Sequence, residues 1–292
     1  MRSVLIAGCG YVGKALADFL VERNWKVQGW TRCAPIAAPS SRYDVRAVDI
    51  SDRAAVAQHA DEFDAVVHCA STRGGDLEAY RRLYFDGLRN LVEEFGRARV
   101  IFTSSTSVYA QTDGSWVTEQ SATEPRSETG RILLESEKLA LAGGGTVVRV
   151  AGIYGPDRSA LLQKFLAGEA VCDLEHDRFL NQVHRDDIVT ALELLLDRQS
   201  TAGAIYNVVD DEPMLRSDCL RWLAAKLNRP IATGRAAASA RKRGESNKRV
   251  SNARLRGLGW EPRYGNFKEA MERSILPSFA DAISASGARA AL

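Results

Sequence analysis

The stretch Val4-Leu-Ile-Ala-Gly-Cys-Gly-Tyr-Val-Gly13 decides how the rest of the chain is read. Four apolar residues between a polar start and a glycine predict a strand buried on both faces of a parallel sheet. Past the glycines the period changes. Val12, Leu16, Phe19 and Leu20 recur at helical spacing, so strand passes into helix across Gly8-Cys-Gly-Tyr-Val-Gly13. Gly8 permits the tight turn, Gly10 lets the backbone approach a pyrophosphate, and Gly13 lets the new helix pack close to the strand. The first helical residues, Tyr11 and Val12, then offer their N–H groups to that phosphate. The arrangement predicts a dinucleotide site.

Outward from this turn, strands and helices alternate. Strands are expected at residues 25–30, 43–48, 63–69, 99–102, 146–150 and 204–209, and helices at 52–60, 77–95, 131–141, 159–167, 186–197 and 218–227. The alternation predicts an α/β fold, a Rossmann-type doubly wound parallel sheet. Residues 1–155 form its NAD(P)-binding part and a segment at about 180–210 returns to it. Residues 156–283 make a smaller C-terminal substrate lobe, and 284–292, mostly small residues, read as a flexible tail.

Ligands of such sheets bind at the carboxyl ends of the strands. There the chain places Thr31 and Arg32, then Asp49 and Ile50, then Ala70 and Ser71, then the hydroxyl-rich run Thr103-Ser-Ser-Thr-Ser107. An acid at the first of these positions would accept hydrogen bonds from the adenosine ribose, whereas Arg32 suits a 2′-phosphate, so NADP is expected over NAD. Asp49 is placed to meet the adenine amine. Ala70 and Ser71 are small enough for the cofactor to lie against the backbone. His68, inside a strand, reads as a core residue, and Asp186 or Asp187 as the cap of the helix that follows.

With 292 residues, 45% hydrophobic and 26% charged, the composition is that of a soluble globule. The net charge of +2 is too small to call for nucleic acid or an anionic membrane, and the expected partner is a small molecule. The five cysteines, Cys9, Cys33, Cys69, Cys172 and Cys219, are scattered without metal-ligand spacing. They read as reduced thiols of a cytoplasmic protein with no metal site. No run approaches the ~20 apolar residues of a membrane span, and the opening apolar run is too short for a signal peptide. Arg235, Arg241, Lys242, Arg243, Lys248, Arg249, Arg254 and Arg256 crowd one stretch without aromatic residues. It reads as a mobile basic loop with Lys248 and Arg249 ordered at the substrate mouth, since nucleic-acid binding would call for interleaved aromatics.

Six segments recur in a telling order: Gly8-x-Gly-x-x-Gly13, Val66-Val-His-Cys-Ala70, Phe102-Thr-Ser-Ser-Thr-Ser-Val-Tyr109, Arg149-Val-Ala-Gly-Ile-Tyr-Gly-Pro156, Asn181-Gln-Val-His-Arg-Asp-Asp187 and Tyr206-Asn-Val-Val-Asp210. With them, nearly the whole chain resembles the extended short-chain dehydrogenase/reductase family, the NAD(P)-dependent epimerases and dehydratases. The resemblance implies hydride transfer assisted by a Ser or Thr and by a Tyr-x-x-x-Lys pair, whose ammonium lowers the phenol from its usual pKa of ~10. Ser105 matches the serine. The Tyr position falls on Thr129, the Lys position on Leu133, and a helical asparagine of many members on Tyr84. The chain therefore resembles an atypical branch in which the pair has changed, with Gly130-Arg-x-Leu-Leu-Glu135 as its helix.

The resemblance further implies cofactor contacts at Ser104, Gly152 and Tyr154 and a homodimer paired through the helices of Leu91 and Leu134. For catalysis it leaves Ser105, to polarise a substrate carbonyl, and Tyr109, the nearest remaining phenol, as proton donor. Arg131, beside the vacated positions, is expected to hold a substrate carboxylate or phosphate. The expected function is an NAD(P)-binding oxidoreductase or epimerase-like protein acting on a small, anionic or nucleotide-sugar substrate. The alternative is a non-catalytic NAD(P)-binding sensor or scaffold, because a base and its activating lysine act as a unit.

Overall fold

The computed structural model describes residues 1–33, 42–72, 76–234 and 246–290. Seven strands, β1 (Ser3–Ala7), β2 (Lys26–Thr31), β3 (Asp44–Ala47), β4 (Ala65–His68), β5 (Arg99–Ser105), β6 (Thr146–Val150) and β7 (Ile205–Val208), form one sheet in the order β7-β6-β5-β4-β1-β2-β3. Every neighbouring pair is parallel. Val4, Leu5, Ile6 and Ala7 have no exposed surface, as a strand covered by helices on both faces requires. The chain leaves β1 towards β2 on one side and later enters β4 on the other. That reversal opens a crevice at the carboxyl ends of β1 and β4, where the glycine turn sits.

The helices are α1 (Tyr11–Val21), α2 (Arg53–Gln58), α3 (Leu77–Arg81), α4 (Gly87–Glu94), α5 (Glu128–Ala142), α6 (Ala160–Leu166), α7 (Arg185–Asp197) and α8 (Arg216–Leu227). A π turn at Arg82–Asp86 joins α3 to α4, so the helix expected at residues 77–95 is interrupted in its hydrogen bonding but not in its course. Asp52 caps α2 by accepting from the N–H groups of Ala54 and Ala55 at 2.9 and 3.2 Å. At α7 the cap is His184, whose Nδ1 accepts the Asp186 N–H at 3.2 Å, and neither aspartate performs that role. Both aspartates sit inside the first turn. From there the Asp187 carboxylate accepts the N–H groups of Arg263 and Tyr264 at 2.6 and 3.3 Å, which ties α7 to the C-terminal segment.

Two apolar clusters hold the molecule. The larger surrounds the sheet and includes Trp30, Phe102, Leu133 and Val148. The smaller gathers Tyr154, Leu162, Phe165, Leu220, Leu223, Phe267 and Met271 in the lobe. Val250, Leu255 and Trp260 belong to the larger cluster despite lying far along the chain. They are drawn in because Arg249–Val250 pairs in parallel with Trp116–Val117. Residues 284–290, expected as a tail, are the end of a helix at Ala280–Ala290 rich in the best helix former. Among the described residues no helix is long and apolar enough to cross a membrane.

Candidate cofactor and active site

At the glycine turn the ligand surface is backbone. Gly8 has φ +102°, and a Cβ on it would stand 2.2 Å from the Ala70 nitrogen; one on Gly13 would stand 2.3 Å from the Gly8 oxygen. The N–H groups of Gly8 and Cys9 both donate to the Trp30 carbonyl, at 3.0 and 2.8 Å, which lashes the turn to β2. No side chain caps α1 and no acid stands in its first turn, so its leading N–H groups are left for an anion. A cradle of bare backbone at an uncapped helix start fits the pyrophosphate of a nicotinamide dinucleotide. The Tyr11 hydroxyl donates to the Pro156 carbonyl at 2.8 Å, and the guanidinium carbons of Arg158 and Arg185 lie 5.1 Å from its ring. A cavity of about 710 Å³ opens beside the turn along α1, lined by Gly10, Tyr11, Lys14, Asp18, Arg185 and Arg263.

Further along the edge, Arg32 is exposed at the end of β2, and Thr31 donates to the Cys33 carbonyl at 2.6 Å. Asp49 uses Oδ1 to accept both the N–H and the hydroxyl of Ser51, at 2.9 and 2.8 Å, which leaves Oδ2 for a ligand. Ile50 is buried, and Asn90 Nδ2 holds its carbonyl at 2.9 Å. Ala70 lies against Gly8 and Ser71 is exposed. His68 is enclosed by Tyr84 and Phe102 with Nε2 3.2 Å from the Leu83 carbonyl, and burial lowers its pKa to about 4, so the ring is neutral.

Beyond β5 the surface is backed by a polar lattice that sequence reading missed. Ser104 turns inward and donates to Glu137 Oε1 at 2.6 Å. Glu137, on α5, receives Arg149 of β6 through Nε at 3.0 and 3.2 Å and Nη2 at 2.7 Å. Arg149 Nη1 donates to the Tyr109 hydroxyl at 2.8 Å, and that hydroxyl donates to Asn207 Oδ1 at 2.8 Å. The charged side chains of this chain are each 4% exposed. A signal existed: Glu137 shares the buried face of α5 with Leu133 and Ala140, and Arg149 interrupts the otherwise apolar buried strand β6. Two opposite charges at core positions call for each other.

Three of the expected site residues have their side chains turned away from open surface. Tyr109 is 1% exposed with its hydroxyl occupied on both sides, and burial raises its pKa despite the neighbouring Arg149. A phenol so held braces β5 against β6 and β7. Ser104 spends its hydroxyl on Glu137, behind the carboxyl end of β5. Tyr154 is also 1% exposed, in the lobe cluster with its ring stacked on Phe267, so its ring faces no ligand surface; Gly152 before it is half-buried, its N–H bound to the Asn181 carbonyl.

Ser105 remains half-buried at the end of β5. Its Oγ accepts the Ser107 N–H at 3.1 Å, capping a short turn at Thr106–Val108, and its own O–H is left to donate. On α5, Thr129 donates to Ser127 Oγ at 3.2 Å and Leu133 is buried in the larger core, so neither phenol nor ammonium stands at those positions. Arg131 is exposed and paired with Glu128 one turn away. Lys248 is buried with Nζ 3.0 Å from the Tyr109 carbonyl. Arg249 donates to the Gly114 carbonyl at 2.8 Å, its guanidinium 5.3 and 5.0 Å from the rings of Trp116 and Phe179. Arg235, Arg241, Lys242 and Arg243 lie outside the described residues.

Comparison with known proteins agrees with this architecture. A model of the NAD dependent epimerase/dehydratase family matches residues 4–208. Protein YeeZ of Escherichia coli K12 is 32% identical over 223 residues, 71% of this chain and 77% of its own. A candidate NAD-dependent epimerase/dehydratase from Methylobacillus flagellatus superposes with a TM-score of 0.75 at 26% identity, covering 97% of this chain and 98% of its own. A UDP-glucose 4-epimerase from Thermotoga maritima, solved with UDP-glucose, shares the fold at a TM-score of 0.82 and 17% identity, over 97% of this chain and all of the other.

Proposed function

The chain belongs to the NAD-dependent epimerase/dehydratase family, and from that premise we propose that it is an NAD(P)-dependent oxidoreductase that acts on a small anionic substrate through Ser105, without a Tyr-x-x-x-Lys pair. The observation that carries this reading is the uncapped, acid-free start of α1 behind a glycine turn, where Gly8 packs on the Ala70 backbone and Gly13 on the Gly8 carbonyl more closely than any side chain would allow. The dinucleotide would be held there by Gly8, Gly10, Gly13 and the N–H groups of Tyr11 and Val12. Asp49 Oδ2, Ala70, Ser71 and Gly152 complete its bed. When bound, it supplies or accepts a hydride. The chain's own part is to polarise the substrate: the free O–H of Ser105 donates to a carbonyl oxygen and stabilises the charge that develops on it. Arg249, its guanidinium 5.3 and 5.0 Å from the rings of Trp116 and Phe179, and the buried Lys248 are the cations proposed to recognise the anionic group.

NADP is the proposed form. Arg32 is exposed, ends β2 where the adenosine ribose would lie, and has no carboxylate partner among the described residues. Fluorescence titration of the apo protein tests both points: NADPH is expected to bind tighter than NADH, with Arg32→Ala removing the difference. Tighter binding of NADH would overturn the preference, and binding of neither would overturn the cofactor reading. One observation favours a second reading, a sensor that binds NAD(P) and turns over nothing: Tyr109 is locked in the lattice and Leu133 is buried in the core. Oxidation of NADPH in the presence of any carbonyl or nucleotide sugar from a screened panel, lost in Ser105→Ala, would decide for the enzyme.

A further inference from the structure

We infer that Lys248 binds an anion in the substrate site, holding a carboxylate or phosphate oxygen of the substrate against the turn that follows β5. The inference rests on the anionic-substrate reading above and assigns it a residue. The segment is fixed before any ligand arrives. Arg249–Val250 pairs with Trp116–Val117, and Asn181 clamps the backbone on both sides of the pairing. Its Nδ2 donates to the Lys248 carbonyl at 2.9 Å and its Oδ1 accepts the Val250 N–H at 2.7 Å.

Inside this clamp the Lys248 side chain has little room to snorkel outward, at 5% exposure. An ammonium has three donors and accepts nothing. The Tyr109 carbonyl at 3.0 Å and the Ser246 hydroxyl at 3.3 Å take two of them. Among the described residues no carboxylate pairs with it, so one donor and a whole charge are left uncompensated. Among the described residues the charge that acts on it is a cation, Arg178, and Arg249 is next in the chain. Burial first, and Arg178 second, lower its pKa to about 8.

A buried ammonium without a counter-charge is costly, and an anionic ligand is what offsets that cost. The position suits one. The Tyr109 carbonyl lies at the far end of the Thr106–Val108 turn from Ser105. A substrate whose carbonyl meets Ser105 and whose anionic end meets Lys248 therefore spans one short turn. Arg178 and Arg249 add positive potential beside it.

The test follows Lys248 itself in the NADP-saturated full-length protein, with lysine labelled with carbon-13 at Cε for NMR and the signal assigned by its loss in Lys248→Arg. Succinate and glycerol phosphate are the probes, since bound NADP already fills the phosphate cradle at α1. The Lys248 signal is expected to titrate near pH 8 and to move upward by about one pH unit or more on saturation with either probe, because the anion favours the charged form about tenfold. Lys248→Met is expected to bind the probe at least about tenfold more weakly, with NADPH affinity and thermal midpoint kept. Probe binding to the unmutated protein with an unmoved Lys248 signal overturns the inference and spares the anionic-substrate reading, as does equal binding by Lys248→Met. If neither probe binds the unmutated protein, both fall. Should Lys248→Met not fold, the titration of the unmutated protein decides alone.

Discussion

At the β1–α1 turn the ligand surface consists of atoms every residue possesses, arranged so that only glycine fits, whereas beyond β5 it is backed by the charged chain Ser104, Glu137, Arg149, Tyr109 and Asn207, closed off from solvent. The first region, proposed above to hold the pyrophosphate that is constant in a dinucleotide, admits almost no side chain at Gly8 or Gly13. The second fixes β5, α5 and β6 against one another from behind, independently of what faces the ligand. Thr129 and Leu133 can therefore occupy positions where a phenol and an ammonium are usual in the family the chain resembles, and the scaffold stands. Binding and chemistry are separable in this fold because different atoms carry them.

The sharpest way to break that contrast is to open the lattice. Glu137→Ala leaves Arg149 buried without its carboxylate and is expected to cost ~3–5 kcal/mol in urea unfolding, while the glycine turn, on other strands, keeps its geometry in any molecule still folded. Unchanged stability would mean that the lattice does not hold the second region together. Next in size, Ser105→Ala should lower turnover on a substrate found by screening by ~10²–10³, the range for a lost oxyanion donor, with NADPH affinity untouched. Wild-type turnover in that variant would move the chemistry elsewhere.

Acid probes the boundary between the regions, where His68 ends β4. Its folded pKa of about 4 lies below the unfolded value of ~6.5, so the unfolded chain binds the extra proton between these limits and stability falls as pH drops from 6.5 towards 4. The loss from this group is on the order of 3 kcal/mol, at 1.36 kcal/mol per unit. His184, also lowered to about 4, adds to it and Asp187, raised to about 7, opposes it. The comparison is therefore with His68→Leu, whose urea midpoint should change less between pH 7 and pH 4.5. Equal slopes would place the acid sensitivity on other groups. At the turn itself, Gly8→Ala forces a side chain into φ +102° with its Cβ 2.2 Å from the Ala70 nitrogen, backbone that cannot swing aside, so the ~1–3 kcal/mol of conformational strain is the least it costs and NADPH binding is expected to weaken; unaltered cofactor affinity would show that the cradle yields more than its spacing suggests.

How much was legible beforehand follows the same division. The sheet strands, the glycine turn and the Asp52 cap were all readable, because each is written within a few residues: apolar runs bounded by glycine, a change of period from strand to helix, an acid before a helix. The half-buried place of Ser105 at the sheet edge was readable through the hydroxyl run that ends β5. The cap of α7 was misassigned because His184 and the two aspartates compete within four positions, and only the direction in which Asp187 is pulled, towards Arg263 and Tyr264, decides among them.

By itself, then, the sequence determined the doubly wound sheet, the glycine turn proposed to hold the dinucleotide and the absence of a phenol and an ammonium at positions 129 and 133, since periodicity, small residues and missing side chains are local properties. Tertiary structure alone decided what became of the remaining polar groups. Tyr109 finds Asn207 across 98 residues and Lys248 finds the Tyr109 carbonyl across 139. Whether a phenol donates a proton or braces a core, and whether an ammonium is solvated or waits for an anion, depends on burial and on partners that no local spacing records. Those are set only when distant segments close on one another and exclude water.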